Sequence, residues 1–317
     1  MNAILASAFA EALPRAADFR GGAAYIDGRF MPLAEAAIPI TDWAYRRSDV
    51  TYDVTSVWKG AFFRLDDHIE RFRRSMNGLR LSPPQSDGEI RDIAIACVRL
   101  AQLQDAYVGM DCLRGRPQPG KPSHPAYARN YIAVFARPFV WLIPPEVQAR
   151  GAHLVVAQVP RIPDDSVDPR IKNFHWGDLT RALFEAHDQG ADGAVLLDHG
   201  GFVTEGPGYN VFAVRRGTVI VSDHGSLEGI TRRTVMELCA QLGIACEARP
   251  YSVDELRVAD EIFLSTTAGG IMPVARLDGR ILGNDRPGPI SSRLRLAFWA
   301  KRESGWYGTK VDYRLPE

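Results

Sequence analysis

The chain has 317 residues, 46% hydrophobic and 24% charged, a balance that gives it a sizeable core and excludes a disordered or fibrous protein. Its 38 basic and 38 acidic side chains cancel, so charge gives no case for binding nucleic acid or an anionic membrane surface. At roughly 150 residues per domain, the length predicts two domains.

The apolar opening at residues 3–10 has no Lys or Arg before it and Glu11 directly after it. It reads as a short helix or disordered lead-in over residues 1–23, not as a signal core. No apolar run reaches the roughly 20 residues that span a bilayer, which excludes a membrane protein. The cysteines Cys97, Cys112, Cys239 and Cys246 show no C-x-x-C pairing, and Cys97 and Cys239 fall on apolar helix faces. Reduced, packed thiols in a cytoplasmic protein are expected.

The first domain, over residues 24–140, opens with Ala24-Tyr25-Ile26 and Arg29-Phe30-Met31 joined by Asp27-Gly28, a pair suited to the positive φ angles of a hairpin turn. Residues 50–58 are rich in Val, Thr, Tyr and Trp, and Lys59-Gly60 turns the chain into a second strand at 61–64. Asp66 is expected to cap the next helix. Ile69, Phe72, Met76 and Leu79 form its apolar face, leaving Arg71, Arg73 and Arg74 as a basic cluster that composition alone assigns to solvent. A second helix carries Ile90, Ile93, Cys97, Leu100 and Ala101. Strands at 106–110 and 131–135 flank a loop with Pro117, Pro119, Pro122 and Pro125, too long and Pro-rich for the core. Paired prolines after Trp141 predict an interdomain linker over 141–150.

The second domain is expected over 151–317. Leu179, Ala182, Leu183 and Ala186 give one face of a helix that Gly190 ends, so Lys172 sits just ahead of a helix. An apolar run at 194–197, a turn at 198–201 and residues 202–205 read as a hairpin that ends on Glu205. Another hairpin turns at Arg216-Gly217. A helix then starts at Gly229-Ile230-Thr231 and stops at Gly243, and its free N-terminal amides, with the Thr231 hydroxyl, make an anion site without a charged side chain. Ser252-Val253-Asp254-Glu255 reads as a capping box. A buried strand at 262–267 enters Ala268-Gly269-Gly270, a loop able to approach a phosphate closely.

A lysine amine able to attack a carbonyl, with an acid held in a partly buried, Gly-rich setting, meets the needs of pyridoxal phosphate chemistry. The seven histidines show no H-E-x-x-H or clustered Cys/His spacing, and G-x-S-x-G and the P-loop are missing, so metal, hydrolase and NTPase readings have no motif behind them.

Four segments carry a family resemblance. They are Lys172-Asn173-Phe174-His175-Trp176-Gly177-Asp178, Thr204-Glu205-Gly206-Pro207-Gly208-Tyr209-Asn210, Glu228-Gly229-Ile230-Thr231-Arg232 and Thr266-Thr267-Ala268-Gly269-Gly270-Ile271-Met272-Pro273. Together they resemble the class IV (fold type IV) aminotransferases, with the (R)-selective amine transaminases as the nearest likeness. The resemblance implies an α+β fold in two domains, a smaller N-terminal α/β domain and a larger cofactor domain, assembled as a homodimer. It implies pyridoxal 5'-phosphate held covalently by Lys172, Glu205 at the ring nitrogen and Leu227 packed on the ring. Arg71, Ile230, Thr231 and Thr267 would hold the phosphate, Arg71 as a fork that grips two oxygens at once. Tyr52 and Trp176 would line the substrate pocket, and Arg114 or Arg47 would meet a substrate carboxylate.

The activity so implied moves an amino group from a chiral primary amine, (R)-configured, to a keto acid such as pyruvate. Two departures stand beside it. Arg47 precedes Ser48-Asp49, where those enzymes carry histidine, and the loop from Met110 to Arg116 matches only in Leu113-Arg114-Gly115. A branched-chain or D-amino acid aminotransferase is the alternative, and an aminodeoxychorismate lyase and a non-catalytic cofactor-binding protein are the others.

Overall fold

The computed structural model describes residues 18–315, so the apolar opening at 3–10 lies outside the described residues. The chain forms two compact units, and neither is one continuous stretch. The first holds the described residues up to Val140, then Ile171–Phe174, then Gly305 onward; the second holds Trp141–Arg170 and His175–Ser304. The expected linker is part of the second unit, where Pro145–Arg150 is a short helix. Proline at the first turn of a helix removes no needed hydrogen bond, so the prolines begin structure here and do not space it. Among the described residues no helix is long and apolar enough to cross a membrane.

In the first unit, β1 (Ala23–Ile26) and β2 (Arg29–Pro32) turn at Asp27 and Gly28, whose φ angles are 46° and 95°. β3 (Val50–Trp58) and β4 (Ala61–Phe63) follow, then α1 (Leu65–Gly78), α2 (Asp87–Ala101), β5 (Ala106–Leu113) and β6 (Tyr131–Pro138). Seven antiparallel strands order as the Gly308–Lys310 strand, β4, β3, β5, β6, β1 and β2. Strand alternation sends Val57, Val108, Met110, Cys112, Ile132 and Val134 to the face where α1 and α2 bring Ile69, Phe72, Met76, Ile90, Ile93 and Cys97. Asp66 does not cap α1. Arg64 stands at the cap in a left-handed conformation, and Asp66 lies in the first turn, where its charge suits the helix dipole. The expected solvent cluster also divides, because Arg71 is buried while Arg74 is exposed.

In the second unit, β7 (Ala152–Val156), α3 (Gly177–Asp188), β8 (Gly193–Val195), β9 (Glu205–Gly206), β10 (Tyr209–Arg215) and β11 (Thr218–Val221) come first. α4 (Ile230–Leu242), β12 (Cys246–Ala248), β13 (Glu261–Thr266), β14 (Gly270–Leu277), β15 (Arg280–Ile281) and α5 (Pro289–Glu303) complete it. The sheet runs β12-β11-β10-β13-β14-β7-β8, with β9 on β10 and β15 on β14. It is mixed: β12 on β11, β7 on β14 and β8 on β7 are parallel.

The apolar face of α3 is narrower than expected. Leu179, Ala182 and Ala186 are buried, but Leu183 is 42% exposed. The hairpin expected to end on Glu205 is present: the Asp198 N–H donates to the Phe202 carbonyl, the Thr204 N–H to the Leu196 carbonyl and the Leu196 N–H to the Glu205 carbonyl, around the bridge from Leu197 to Val203, while β8 also pairs with β7 and Glu205 with Asn210. Tyr209 explains how these short pieces are held. Its hydroxyl donates to the Ala194 carbonyl at 2.7 Å and accepts from the Ala194 N–H at 3.0 Å, fully inside the unit.

Tyr209→Phe should therefore lower stability by about 1–3 kcal/mol, the cost of leaving buried polar groups without a partner. Urea unfolding measures it, and amide exchange at Ala194 should quicken. An unchanged unfolding midpoint would show that the tyrosine does not hold β8.

Candidate active site

In the first unit Lys172 sits on a segment with no sheet of its own. β4 covers β3 only at Val57 and Trp58, so the opposite end of that edge is open, and Asn173 forms an antiparallel bridge with Thr51 there. The Lys172 carbonyl accepts from Thr51 Oγ1 at 2.5 Å and from the Tyr52 N–H at 3.2 Å. On the other side the Lys172 N–H donates to Ser75 Oγ of α1 at 3.2 Å. Gly78 makes room for the approach, since a Cβ there would stand 2.4 Å from Ile171 Cδ1. With its backbone fixed, Lys172 places Nζ 4.3 Å from the centre of the Tyr52 ring, and Tyr52 meets Phe174 edge to face at 4.9 Å.

Arg71 lies on α1 and is gripped by Asp53 of β3, Nε to Oδ2 at 2.8 Å and Nη2 to Oδ1 at 2.9 Å. His68, one turn earlier, approaches Asp53 Oδ1 with Nδ1 at 2.8 Å; a carboxylate only accepts, so Nδ1 carries the hydrogen. Burial works to raise the Asp53 carboxyl, but the Arg71 charge and the hydrogen bonds from His68 and Arg71 outweigh it and hold the group well below the usual carboxylate range. Burial likewise lowers His68 and outweighs the pull of Asp53, which keeps the imidazole neutral.

The two arginines expected at a substrate carboxylate are placed otherwise. Arg114 is buried and forks onto Asp49 at 2.9 and 3.0 Å, while it also donates to the Arg80 and Leu79 carbonyls. Swinging out would strip Asp49 and both carbonyls of their donor, so this side chain clamps a turn and does not follow a mobile loop. Arg47 is exposed and lies over Trp43, 3.7 Å from the ring centre.

In the second unit Glu205 is buried and engaged on both oxygens. Oε1 accepts from Arg161 Nε and Nη2, each at 3.1 Å, and Oε2 accepts from the Leu227 N–H at 3.0 Å. Arg161 Nη1 in turn donates to Asp178 Oδ2 at 2.6 Å, so one guanidinium joins two carboxylates. Burial alone would lower the Arg161 guanidinium, but Glu205 and Asp178 together raise it above its ordinary value. Leu227 is also held at its carbonyl, by Asn210 Nδ2 at 2.8 Å; this requires glycine at 229, where a Cβ would meet Asn210 Oδ1 at 2.1 Å. α4 then begins at Gly229 with no side-chain cap, and Ile230 and Thr231 are buried in its first turn. Thr267 is half-buried after β13, where Thr266 Oγ1 donates to the Gly208 carbonyl, and Trp176 is half-buried just ahead of α3.

Residues 51–277 match the family described as amino-transferase class IV. The chain belongs to this family. A putative branched-chain-amino-acid aminotransferase of Methanocaldococcus jannaschii is 30% identical over 276 residues, 86% of this chain and 94% of that one. A D-alanine aminotransferase of Bacillus licheniformis is 28% identical over 86% of this chain and 94% of its own. Among solved structures, the branched-chain amino acid aminotransferase from Thermobaculum terrenum in its PLP form superposes with a TM-score of 0.82 at 28% identity, covering 93% of this chain and 100% of that one.

The side chains of this aminotransferase fit pyridoxal 5'-phosphate. When bound, the cofactor supplies a ring that takes up the electrons left as a substrate carbon loses its proton. The second unit offers an uncapped helix start for a phosphate and an acid held in place by an arginine and a backbone amide. The first unit offers an amine above an aromatic ring and a pre-positioned arginine fork.

Arg161→Met would leave Glu205 and Asp178 buried without their shared cation. Loss of one partner of such a pair costs about 3–5 kcal/mol, so denaturant unfolding should shift by that order. Arg161→Lys should recover only part, because an ammonium cannot reproduce the fork. Stability equal to the parent in Arg161→Met would remove Arg161 from the site.

Proposed function

We propose that this aminotransferase moves the amino group of an amino acid of the branched-chain or D-amino acid kind to a keto acid, with pyridoxal 5'-phosphate as cofactor and a homodimer as the working form. The amino acid donor is supported by the relatives that align with 86% of the chain, which carry those two names. Lys172 would hold the cofactor covalently, and its amine moves the proton at the substrate carbon. Glu205 keeps the ring nitrogen protonated, and Arg161 with Asp178 keeps Glu205 aimed. Arg71 and the start of α4 take the phosphate, with Asp53 and His68 fixing the fork of Arg71. Leu227 packs on the ring, and Tyr52 and Trp176 line the pocket.

A primary amine of (R) configuration is the second reading, carried by the likeness of the four motifs around Lys172, Glu205, Gly229 and Thr266 to the (R)-selective amine transaminases. With Arg114 clamped by Asp49 and Arg47 stacked on Trp43, neither is placed for the carboxylate that a keto acid brings in either reading.

Single half-reactions of the holoenzyme, followed by the visible band of the cofactor, separate the two. L-Leucine or D-alanine should bleach the band, whereas bleaching by (R)-1-phenylethylamine alone would establish the second reading. A band that no donor moves would mean a cofactor-binding protein without turnover. Lys172→Ala should abolish transamination, and after borohydride reduction peptide mapping should find the cofactor on Lys172 of the parent. Its appearance on another lysine would overturn the assignment.

A further inference from the structure

The sheet of the first unit has two faces of different character. Thr51, Asp53, Thr55 and Val57 alternate toward α1 and α2, as do Val108, Met110 and Cys112 of β5. The opposite face carries Tyr52 and Val54 on β3, Tyr107, Gly109 and Asp111 on β5, and Ala133 and Phe135 on β6. Lys172 reaches this second face, since its Nζ stands over the Tyr52 ring.

Asp111 is the direct cross-strand partner of Tyr52, with Ala133 on its other side. Opposed side chains in an antiparallel pair lie about 4.5–5.5 Å apart at Cβ, so the carboxyl and the Tyr52 ring are neighbours. Phe135 fills the space over Gly109, where a Cβ would come within 2.4 Å of the ring, and Tyr107 stacks on Phe135 at 6.2 Å. The acid thus stands in an aromatic wall. Asp42, Asp49 and Asp53 of the same unit are tied to Tyr131, Arg114 and Arg71. Asp111 is tied to none of the described residues.

We propose that Asp111 receives a cationic group at the far end of the substrate, so that the amino donor carries a second ammonium in place of the hydrocarbon a branched-chain donor would bring. This inference rests on the aminotransferase reading. A carboxyl beside aromatic faces attracts a cation twice over, through its own charge and through the rings. Desolvation pushes Asp111 up to about 7, as expected for an acid waiting for a counter-charge. The titratable and charged groups on the same face are Tyr52, Lys172, Arg137, which lies over the Tyr107 ring, and Tyr107 itself, whose hydroxyl is pushed up to about 12 by burial with Tyr52 and Asp111 adding.

Matched donors test it in half-reactions of the holoenzyme: ornithine against norvaline in both enantiomers, and 1,4-diaminobutane against 1-aminobutane. The ammonium-bearing member of a pair should react with a kcat/KM higher by roughly tenfold or more, the scale of one charge-assisted hydrogen bond. That preference should grow as pH rises through the titration of Asp111. It should vanish in Asp111→Asn and Asp111→Leu, with Asp111→Leu gaining rate on norvaline. Norvaline preferred by the parent, or ratios unchanged in both variants, overturns the proposal while leaving the aminotransferase intact. If no donor reacts, the aminotransferase reading fails, and calorimetry with butyltrimethylammonium decides about Asp111. Binding weakened roughly tenfold in Asp111→Asn supports the proposal, and equal binding overturns it. Folding has its own readout. A carboxyl raised in the folded state loses stability as pH climbs from the ordinary carboxylate range through about 7, so Asp111→Asn should melt higher than the parent at pH 8 and nearly the same at pH 4.

Discussion

The carbonyl of Lys172 accepts two hydrogen bonds from β3, and the placement of its amine depends on them. A lysine side chain has many rotamers, and a useful one must be selected by fixing the backbone beneath it. Here the backbone is held from the sheet by Thr51 and Tyr52 and from α1 by Ser75. The same strand supplies Tyr52 below the amine and Asp53 behind Arg71, so β3 organises Lys172 on one face and the arginine fork on the other.

Two groups of buried charge in this protein are arranged in short chains. His68, Asp53 and Arg71 form one; Glu205, Arg161 and Asp178 form another. Each brings strongly hydrated groups out of water, and each is stable only because every member has a partner. The result is directional precision, since a fork held on one side presents its remaining donors, or the acid it grips, at a fixed angle.

Much of this was legible in the sequence where periodicity or turn chemistry is local. The Asp27-Gly28 hairpin, β3, α2 and the Gly229-to-Gly243 helix follow from spacing and caps. Asp53 was less visible, although alternation with Val57 places it on the helix-facing side, where a carboxyl requires a cation. The i, i+3 spacing of His68 and Arg71 was the other half of that signal. Arg161 lies between prolines in an irregular stretch, and no pattern links it to Glu205, 44 residues away. Arg114 misled for the opposite reason. A Gly- and Pro-rich surrounding suggests mobility, whereas the guanidinium is immobilised by Asp49 and two carbonyls that its own loop sequence does not reveal.

The bond from Thr51 to the Lys172 carbonyl spans 121 residues of chain. A contact of that separation costs a large closure entropy before it contributes any stability, so it forms late. During synthesis β3, α1 and α2 exist long before the segment that completes them, and the open edge of β3 must wait for it. Lys172 thereby joins a strand edge whose own strand and helices were made earlier, and a chain that stops short of residue 171 is left with an unpaired strand edge of the kind that draws other chains into aggregates.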